Sequence, residues 1–398
     1  MTEIAEKYVR VAHGIEGHVH GYIDGYFGPP EWAVTEARPA GALRGEIEEL
    51  KEAVEALPTG PRQRFLRAQV RAMRTSVRLI AGEDIPYAEE VRGLYDIEPV
   101  RVDEAVFEAA LSALEDLLPG EGSLLERELP LRKRVEVSHE RLPRVMDVIL
   151  AELKTRTERL FGLPDGESFD IQLVRDRPWG GYNWPLGNLR SRIDINTDLP
   201  VYLPGLPGLL AHEGYPGHHT EHAWKEALLA RGEARLEHTI MLINAPECVI
   251  SEGIAVKARD MVMTPGEARE WLTGELADLA GVSGEDVQLM LDVGRAKEAL
   301  GKVSGNAALL LHEAGRSEGE VLEYLMRYGL RTEEQARKNL EFIKHPNFRS
   351  YIFTYTAGEE LLSPLLSGED RVQVFRRLLT ESVTPGDVRA WAAERAPA

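Results

Sequence analysis

The hydrophobic residues of this chain recur mostly with the spacing of helices. From Ala42 to Ile80, from Val102 to Leu118 and from Leu142 to Leu160, apolar residues return every three or four positions among Glu and Arg, as on the buried face of an amphipathic helix. Between residues 168 and 200 the pattern changes to short alternating runs bounded by Gly, Pro and Asn, which is typical of a small antiparallel β-sheet. The helical spacing returns at Leu206. We therefore expect a mainly α fold, with a large helical body and one small antiparallel sheet next to the helix that carries most of the histidines.

Composition and charge exclude several classes of function. The chain has 398 residues, of which 43% are hydrophobic and 28% charged, as in an ordinary globular protein. Its formal net charge of -19 opposes binding to nucleic acid or to anionic membranes, since both need a basic surface. Cys248 is the only cysteine, which excludes a multi-thiolate zinc site. With neither a secretory signal pattern nor a run of ~18 apolar residues, we expect a cytoplasmic protein that binds neither nucleic acid nor membrane.

The stretch His212-Glu213-Gly214-Tyr215-Pro216-Gly217-His218-His219 is close to a zinc-hydrolase motif. In the standard form two His one helical turn apart bind Zn²⁺, and the Glu beside the first His activates a metal-bound water. Here the second His comes six residues after the first, which on an ideal helix places it about 120° round the axis and ~9 Å along it. Pro216 forces a kink or bulge, and Gly217 tolerates it, so that His218 can return to the metal.

Other residues compete for roles at this site. His219 is the alternative second ligand, and His219 or His222 would otherwise line the pocket. A catalytic zinc takes three protein ligands and leaves one position open for water. Glu252, followed by Gly253, is the best third ligand, because small residues let another helix approach closely. Glu247 is a supporting partner or an alternative ligand.

These motifs resemble the bacterial proteins grouped as domain of unknown function 885, which look like helical zinc peptidases. The shared residues are the Pro-Gly form of the zinc motif, Glu252-Gly253 with Ala255, and Tyr355 with Gly358. More distantly the chain is similar to dipeptidyl peptidase III and to carboxypeptidase Taq. The resemblance implies a gluzincin-like cleft, one Zn²⁺ bound by His212, His218 and Glu252, Glu213 as general base, and Tyr355 facing the scissile carbonyl.

The resulting expectation is a zinc-dependent metallopeptidase that cleaves short peptides, in the manner of a carboxypeptidase or an oligopeptidase. Residues 1–160 would form an N-terminal helical region, and residues 161–398 the zinc-binding catalytic region that includes the sheet. Tyr351 and His312 are alternatives to Tyr355 as the oxyanion donor, and Arg349 would bind a substrate carboxylate. Two other functions remain open: a metal-dependent hydrolase of another amide or ester, and a non-catalytic metal-binding protein.

Overall fold

Helices make up most of the computed structural model, which describes residues 2–177, 179–198 and 200–395. In chain order the α-helices are α1 (Thr2–Glu16), α2 (Ala40–Glu55), α3 (Pro61–Ile80), α4 (Tyr87–Tyr95), α5 (Glu104–Leu117), α6 (Leu124–Arg134), α7 (Leu142–Phe161), α8 (Leu206–Glu213), α9 (His218–Lys225), α10 (Pro246–Val262), α11 (Pro265–Thr273), α12 (Glu275–Ala280), α13 (Gly284–Lys297), α14 (Val303–His312), α15 (Glu318–Gly329), α16 (Glu333–Lys344), α17 (Thr354–Leu366), α18 (Arg371–Thr380) and α19 (Pro385–Arg395). The prediction of a mainly helical body is confirmed.

Five short strands complete the fold of the described residues. They are β1 (Ile23–Tyr26), β2 (Ser168–Val174), β3 (Gly181–Gly187), β4 (Arg190–Asn196) and β5 (Ile240–Leu242). β1 pairs with β5 in a separate antiparallel ribbon, and the other three strands form a sheet in the order β2-β4-β3. The predicted small sheet is therefore present where it was expected, immediately before α8.

The pairing within this sheet is partly different from the prediction. β3 and β4 form the expected antiparallel hairpin, closed by Asn188 and Leu189, which both have positive φ as a two-residue type I′ turn requires. β2, however, runs parallel to β4. An alternating pattern reports which face of a strand is buried and does not report the direction of its neighbour, so the sequence could not distinguish the two arrangements.

Helix α10 organises the half of the molecule that holds the histidines. It packs against α8, α17 and α18, and its closest neighbour is α17, at Gly253 and Gly358. A Cβ atom on Gly358 would lie 2.4 Å from the Val249 carbonyl oxygen, and one on Gly253 would lie 2.8 Å from the Gly358 carbonyl oxygen. The two backbones therefore touch, and only glycine fits at this crossing.

No helix among the described residues is both long and apolar enough to cross a bilayer.

Candidate metal centre

The zinc-like motif folds as two helices rather than as one bulged helix. α8 ends at Glu213 and α9 begins at His218, so the predicted bulge is in fact a complete break. The chain turns back onto the end of α8, where the Gly217 N–H donates to the Ala211 carbonyl at 2.9 Å. A Cβ atom on Gly217 would lie 1.9 Å from the His212 carbonyl oxygen. Glycine is thus needed for close approach, and the turn brings the His212 and His218 rings to a centroid distance of 4.7 Å.

Glu252 reaches the same point from α10. Its Oε2 lies 3.6 Å from His212 Nε2, which is too long for a hydrogen bond. The Tyr351 hydroxyl donates to its Oε1 at 2.7 Å, whereas Oε2 is buried and has no hydrogen-bond partner. The Glu252 side chain is therefore held in place through Oε1, and its Oε2 remains available to a ligand. The contact of α10 with α17 at Gly253 and Gly358 places Glu252 and Tyr351 together.

Glu213 is a second carboxylate in this group. Nitrogen atoms of His212 and His218 and a Glu213 oxygen all lie within 4.8 Å of one another. Burial, together with the nearby carboxylates of Glu252 and Asp24, raises the pKa of Glu213 to about 8. Glu252 also has a raised pKa, of about 7, mainly because of burial. Each of the two carboxylates could thus be a ligand or a proton acceptor, and their hydrogen bonds distinguish them: Glu252 is held by Tyr351, and Glu213 has no side-chain hydrogen bond in the described residues.

The His218 ring is oriented by a hydrogen-bonded relay. Ser251 Oγ donates to Glu221 Oε2 at 2.6 Å, and its single proton is then used, so it must accept from His218 Nδ1–H at 3.0 Å. That arrangement leaves His218 Nε2 unprotonated. Glu221 is in turn paired with buried Lys225, which also lies 3.5 Å from Glu247. A relay of this kind is the usual way in which a metal-binding His is held.

The imidazoles are neutral in this environment. Burial lowers the pKa of His218 to about 4, and the neighbouring His222 acts in the same direction. Burial also lowers the pKa of His212. Neutral imidazoles next to carboxylate oxygens form a donor set that Zn²⁺ prefers. Ligand atoms of His212, Glu213 and His218 lie within 4.8 Å of one another, and Glu252 Oε2 approaches this group beside His212, so the donor types present fit a divalent ion.

A second group with suitable spacing consists of His218, Glu221 and His222. Both Glu221 oxygens are already used, one by Lys225 and the other by Ser251. The Lys225 charge also opposes a second cation there. This group therefore fits a metal less well than the first, and Glu247, which shares Lys225, serves as a partner of that ammonium.

The predicted ligand alternative His219 points away from the other imidazoles. Its side chain is 1% exposed, and its two ring nitrogens bond Ser191 Oγ at 2.9 Å and Glu167 Oε2 at 2.7 Å. Glu167 also accepts from Tyr215 and pairs with Lys154. His219 thus connects α9 to the sheet, and the expectation that it lines a substrate pocket is corrected.

Arg349 and His312 also lie outside this site. Arg349 donates two hydrogen bonds to Glu90, whose side chain is fully buried, because the acid needs a cation once it is removed from water. His312 Nε2 bonds the Ile343 carbonyl. Both residues line a separate cavity of about 690 Å³ beside α3 and α4. The predicted roles in substrate binding and oxyanion stabilisation are corrected accordingly.

A cavity of about 530 Å³ opens onto His212, His218 and His222, and we call it the histidine cavity. The other cavity is larger and also has imidazoles, carboxylates and aromatic rings in its walls. Among the described residues, however, both groups of ligand atoms that are close enough together to hold a metal ion line the histidine cavity, so we assign function here. Its remaining walls come from β1, β3, β5, α10, α16, the segment between α16 and α17, and the start of α17. They include Ile23, Asp24, Trp179, Gly181, Tyr182, Asn183, Trp184, Met241, Leu242, Phe342, Phe348, Tyr351 and Tyr355. Tyr355 is 40% exposed and meets Tyr351 edge to face at 5.6 Å.

Sequence reasoning missed Asp24, Ser251 and Glu221. Ser251 directly precedes Glu252, and Glu221 lies one helical turn before Lys225, so both had a local pattern that could have been noticed. Asp24 had no such local pattern, because it reaches the cavity through the pairing of β1 with β5.

Comparison with known proteins gives the fold and little more. No protein-family model matches the chain, and no curated protein matches it. Among solved structures, "the putative lipoprotein from Colwellia psychrerythraea" is 16% identical with a TM-score of 0.51, over 89% of this chain and 67% of that one. "A putative lipoprotein of unknown function from Shewanella oneidensis" is 11% identical with a TM-score of 0.45, over 89% of this chain and 71% of that one. The first likeness establishes a shared fold, and the second is too distant to add to it.

The predicted cytoplasmic location is contradicted, because the solved structure that shares the fold is described as a putative lipoprotein. The prediction depended on the lack of a secretory signal pattern and of a long apolar run in the sequence, and such absences do not establish a compartment.

Proposed function

We propose that the protein is a zinc-dependent peptidase that hydrolyses short peptides, with one Zn²⁺ held by His212, His218 and Glu252. The observation that supports this most is Glu252 Oε2, which is buried, lacks a hydrogen bond and lies 3.6 Å from His212 Nε2. A buried carboxylate oxygen left without a donor is costly, and a cation shared with the two imidazoles removes that cost.

The chemistry divides between the ion and the side chains around it. Zn²⁺, when bound, would supply Lewis acidity, which lowers the pKa of water and polarises a carbonyl group. Glu213 would accept the proton of the attacking water and pass it to the leaving amine. Its side chain is buried next to His212 and has no side-chain donor among the described residues that would have to be displaced.

Tyr355 is the better candidate for stabilising the oxyanion. The Tyr351 hydroxyl is committed to Glu252, whereas Tyr355 lines the histidine cavity and is partly exposed to it. A hydroxyl donor in such a position is worth about 3 kcal/mol of barrier. For the peptide backbone, β3 is the outer strand of its sheet, and its residues Gly181 and Asn183 line the cavity, as binding by strand addition requires.

The experiment that tests this proposal is Glu213→Gln, with exposed Glu369→Gln as the matched control. We expect Glu213→Gln to bind one zinc as the wild type does, and to lose about 10²–10⁴-fold in kcat on peptides. Metal content by mass spectrometry and a peptide-library assay of zinc-loaded protein measure the two effects. Loss of zinc together with activity would make Glu213 a ligand, and turnover of esters without peptides would make the protein a different hydrolase.

A further inference from the structure

The histidine cavity is lined by acids and lacks a fixed cation. Among the described residues that line it there is no Lys or Arg, and the acids are Asp24, Glu213, Glu221, Glu247 and Glu252. Lys225 lies behind Glu221 and Glu247, where it pairs with both. Five carboxyl groups thus face the cavity, and among the described residues Lys225, which lies behind two of them, is the one ammonium group that pairs with any of the five. A substrate group that enters the cavity thus meets a surplus of acceptors.

Asp24 is an acid of the cavity without a basic partner among the described residues. It lies on β1, and the Tyr182 hydroxyl donates to its Oδ1; no Lys, Arg or His pairs with it among the described residues. The Tyr182 ring is flanked by Trp179 and Trp184 at centroid distances of 5.3 and 4.5 Å. A carboxylate at the edge of such a group of aromatic rings is a typical surrounding for an ammonium ion, which is attracted both to the charge and to the ring faces.

Asn183 adds a further acceptor. Its Nδ2 donates to the Glu213 carbonyl at 2.8 Å, whereas its Oδ1 is buried and has no donor among the described residues. A buried acceptor without a donor indicates that a ligand bearing N–H groups completes the site.

We propose that Asp24 binds a primary ammonium group of the substrate, which is either the free amino terminus of a peptide or a Lys side chain next to the scissile bond. This inference rests on the proposed peptidase function and narrows it. A free carboxy terminus would meet the surplus of carboxylates, and Arg349, the residue expected to bind it, is paired with Glu90 in another cavity. Carboxypeptidase action is therefore disfavoured.

The first experiment measures binding without catalysis. Phenylalaninamide, which carries an ammonium group, and its N-acetyl derivative, which does not, are titrated calorimetrically into metal-free and zinc-loaded protein. We expect the amine to bind about tenfold to a hundredfold more tightly than the acetylated compound, as a charged hydrogen bond provides. Asp24→Asn, which keeps the acceptor for Tyr182, should abolish this difference. Exposed Asp84→Asn, which changes the net charge equally and lies outside the cavity, should retain it.

Equal binding of the two compounds, or a preference that survives in Asp24→Asn, would overturn the inference. If Asp24→Asn does not fold, Tyr182→Phe keeps the charge and removes the hydroxyl that orients Asp24, and it should reduce the preference by a smaller factor; an unchanged preference would again overturn it.

The second experiment separates the two sources of ammonium. Zinc-loaded wild type is given matched peptides with a free amino terminus, with an acetylated terminus, and with an acetylated terminus and one Lys. Cleavage of the first or third at about ten times the rate of the second or more supports the inference and names the source. Equal cleavage of all three overturns it while leaving the peptidase proposal intact. Selective amine binding without cleavage of any peptide overturns the peptidase proposal alone.

Discussion

Ser251→Ala tests whether the relay behind His218 holds this ring for a metal. The substitution removes one hydroxyl that connects His218 Nδ1 at 3.0 Å with Glu221 Oε2 at 2.6 Å. Without it the ring is free to rotate or to change its protonated nitrogen, and the buried Glu221 oxygen loses a donor. Loss of such an outer hydrogen bond typically costs 10–100-fold in metal affinity, which is about 1.4–2.8 kcal/mol.

Folding stability should fall as well, and by a separable amount. Glu221 is almost completely buried and retains only Lys225 as a side-chain partner, so the missing donor should cost about 1–3 kcal/mol in the metal-free protein. Zinc affinity is measured by competition with a chelator, and stability by urea unfolding with and without zinc. The extra stabilisation that zinc gives the wild type should shrink in the variant, since it follows the metal affinity.

Ser76→Ala is the matched control for this experiment. Ser76 is also a buried helical serine, but its hydroxyl donates to the Ala72 carbonyl of its own helix and lies outside the histidine cavity. We expect this variant to bind zinc as the wild type does. If Ser251→Ala retained wild-type zinc affinity, the relay would be a packing feature, and the assignment of His218 as a ligand through Nε2 would lose its support.

Three further predictions concern the scaffold of the site. Gly217→Ala should destabilise the protein by about 1–3 kcal/mol or more through overpacking, and it should weaken zinc binding. Gly208→Ala, on the preceding α8, is the control, because a Cβ atom there meets no close contact. Unfolding and zinc titrations of the two variants measure the difference. Gly358→Ala should separate α17 from α10 and lower kcat, together with stability, because its Cβ would meet the Val249 carbonyl. Burial raises the pKa of Glu167, but hydrogen bonds from His219, Lys154 and Tyr215 outweigh burial and hold the pKa at about 2. The ionised side chain should therefore stabilise the folded protein by about 3 kcal/mol above pH 4.5, and this stabilisation should be lost as the pH falls from about 5 to 2. An equally steep acid unfolding transition in Glu167→Gln would contradict this prediction.

The sequence predicted the parts of the site that depend on local pattern. The helical spacing and the alternating run gave the helical body and the position of the sheet, since both are periodicities of a few residues. The adjacent His212 and Glu213, with Pro216 after them, indicated a metal motif because all these residues lie within a few positions of one another in the sequence. The prediction of a bulge was wrong because a break is stabilised by the contact of Gly217 with the end of α8, a contact that no helix geometry contains.

Residues that reach the site through long-range pairing were not predictable. Asp24 reaches the site through the β1–β5 ribbon. The prediction for Arg349 was wrong because this residue pairs with Glu90, a buried acid that is far away in the chain. The sequence does not show which buried acid an arginine will pair with, even though a buried acid needs such a partner. The charge of the histidine cavity therefore had to come from the structure.

The role of the pair Glu252-Gly253 depends on the packing of α10 against α17. An acid followed by glycine is common and alone indicates nothing, but the absent side chain of Gly253 faces Gly358 of α17. That contact fixes the distance between two helices, and it thereby brings Tyr351, just before α17, within 2.7 Å of the Glu252 carboxylate. The glycines thus act on the proposed metal site through Tyr351, which donates to one Glu252 oxygen and leaves the other to face His212. It follows that substitutions at Gly253 or Gly358 should impair zinc binding even though neither residue touches the ion.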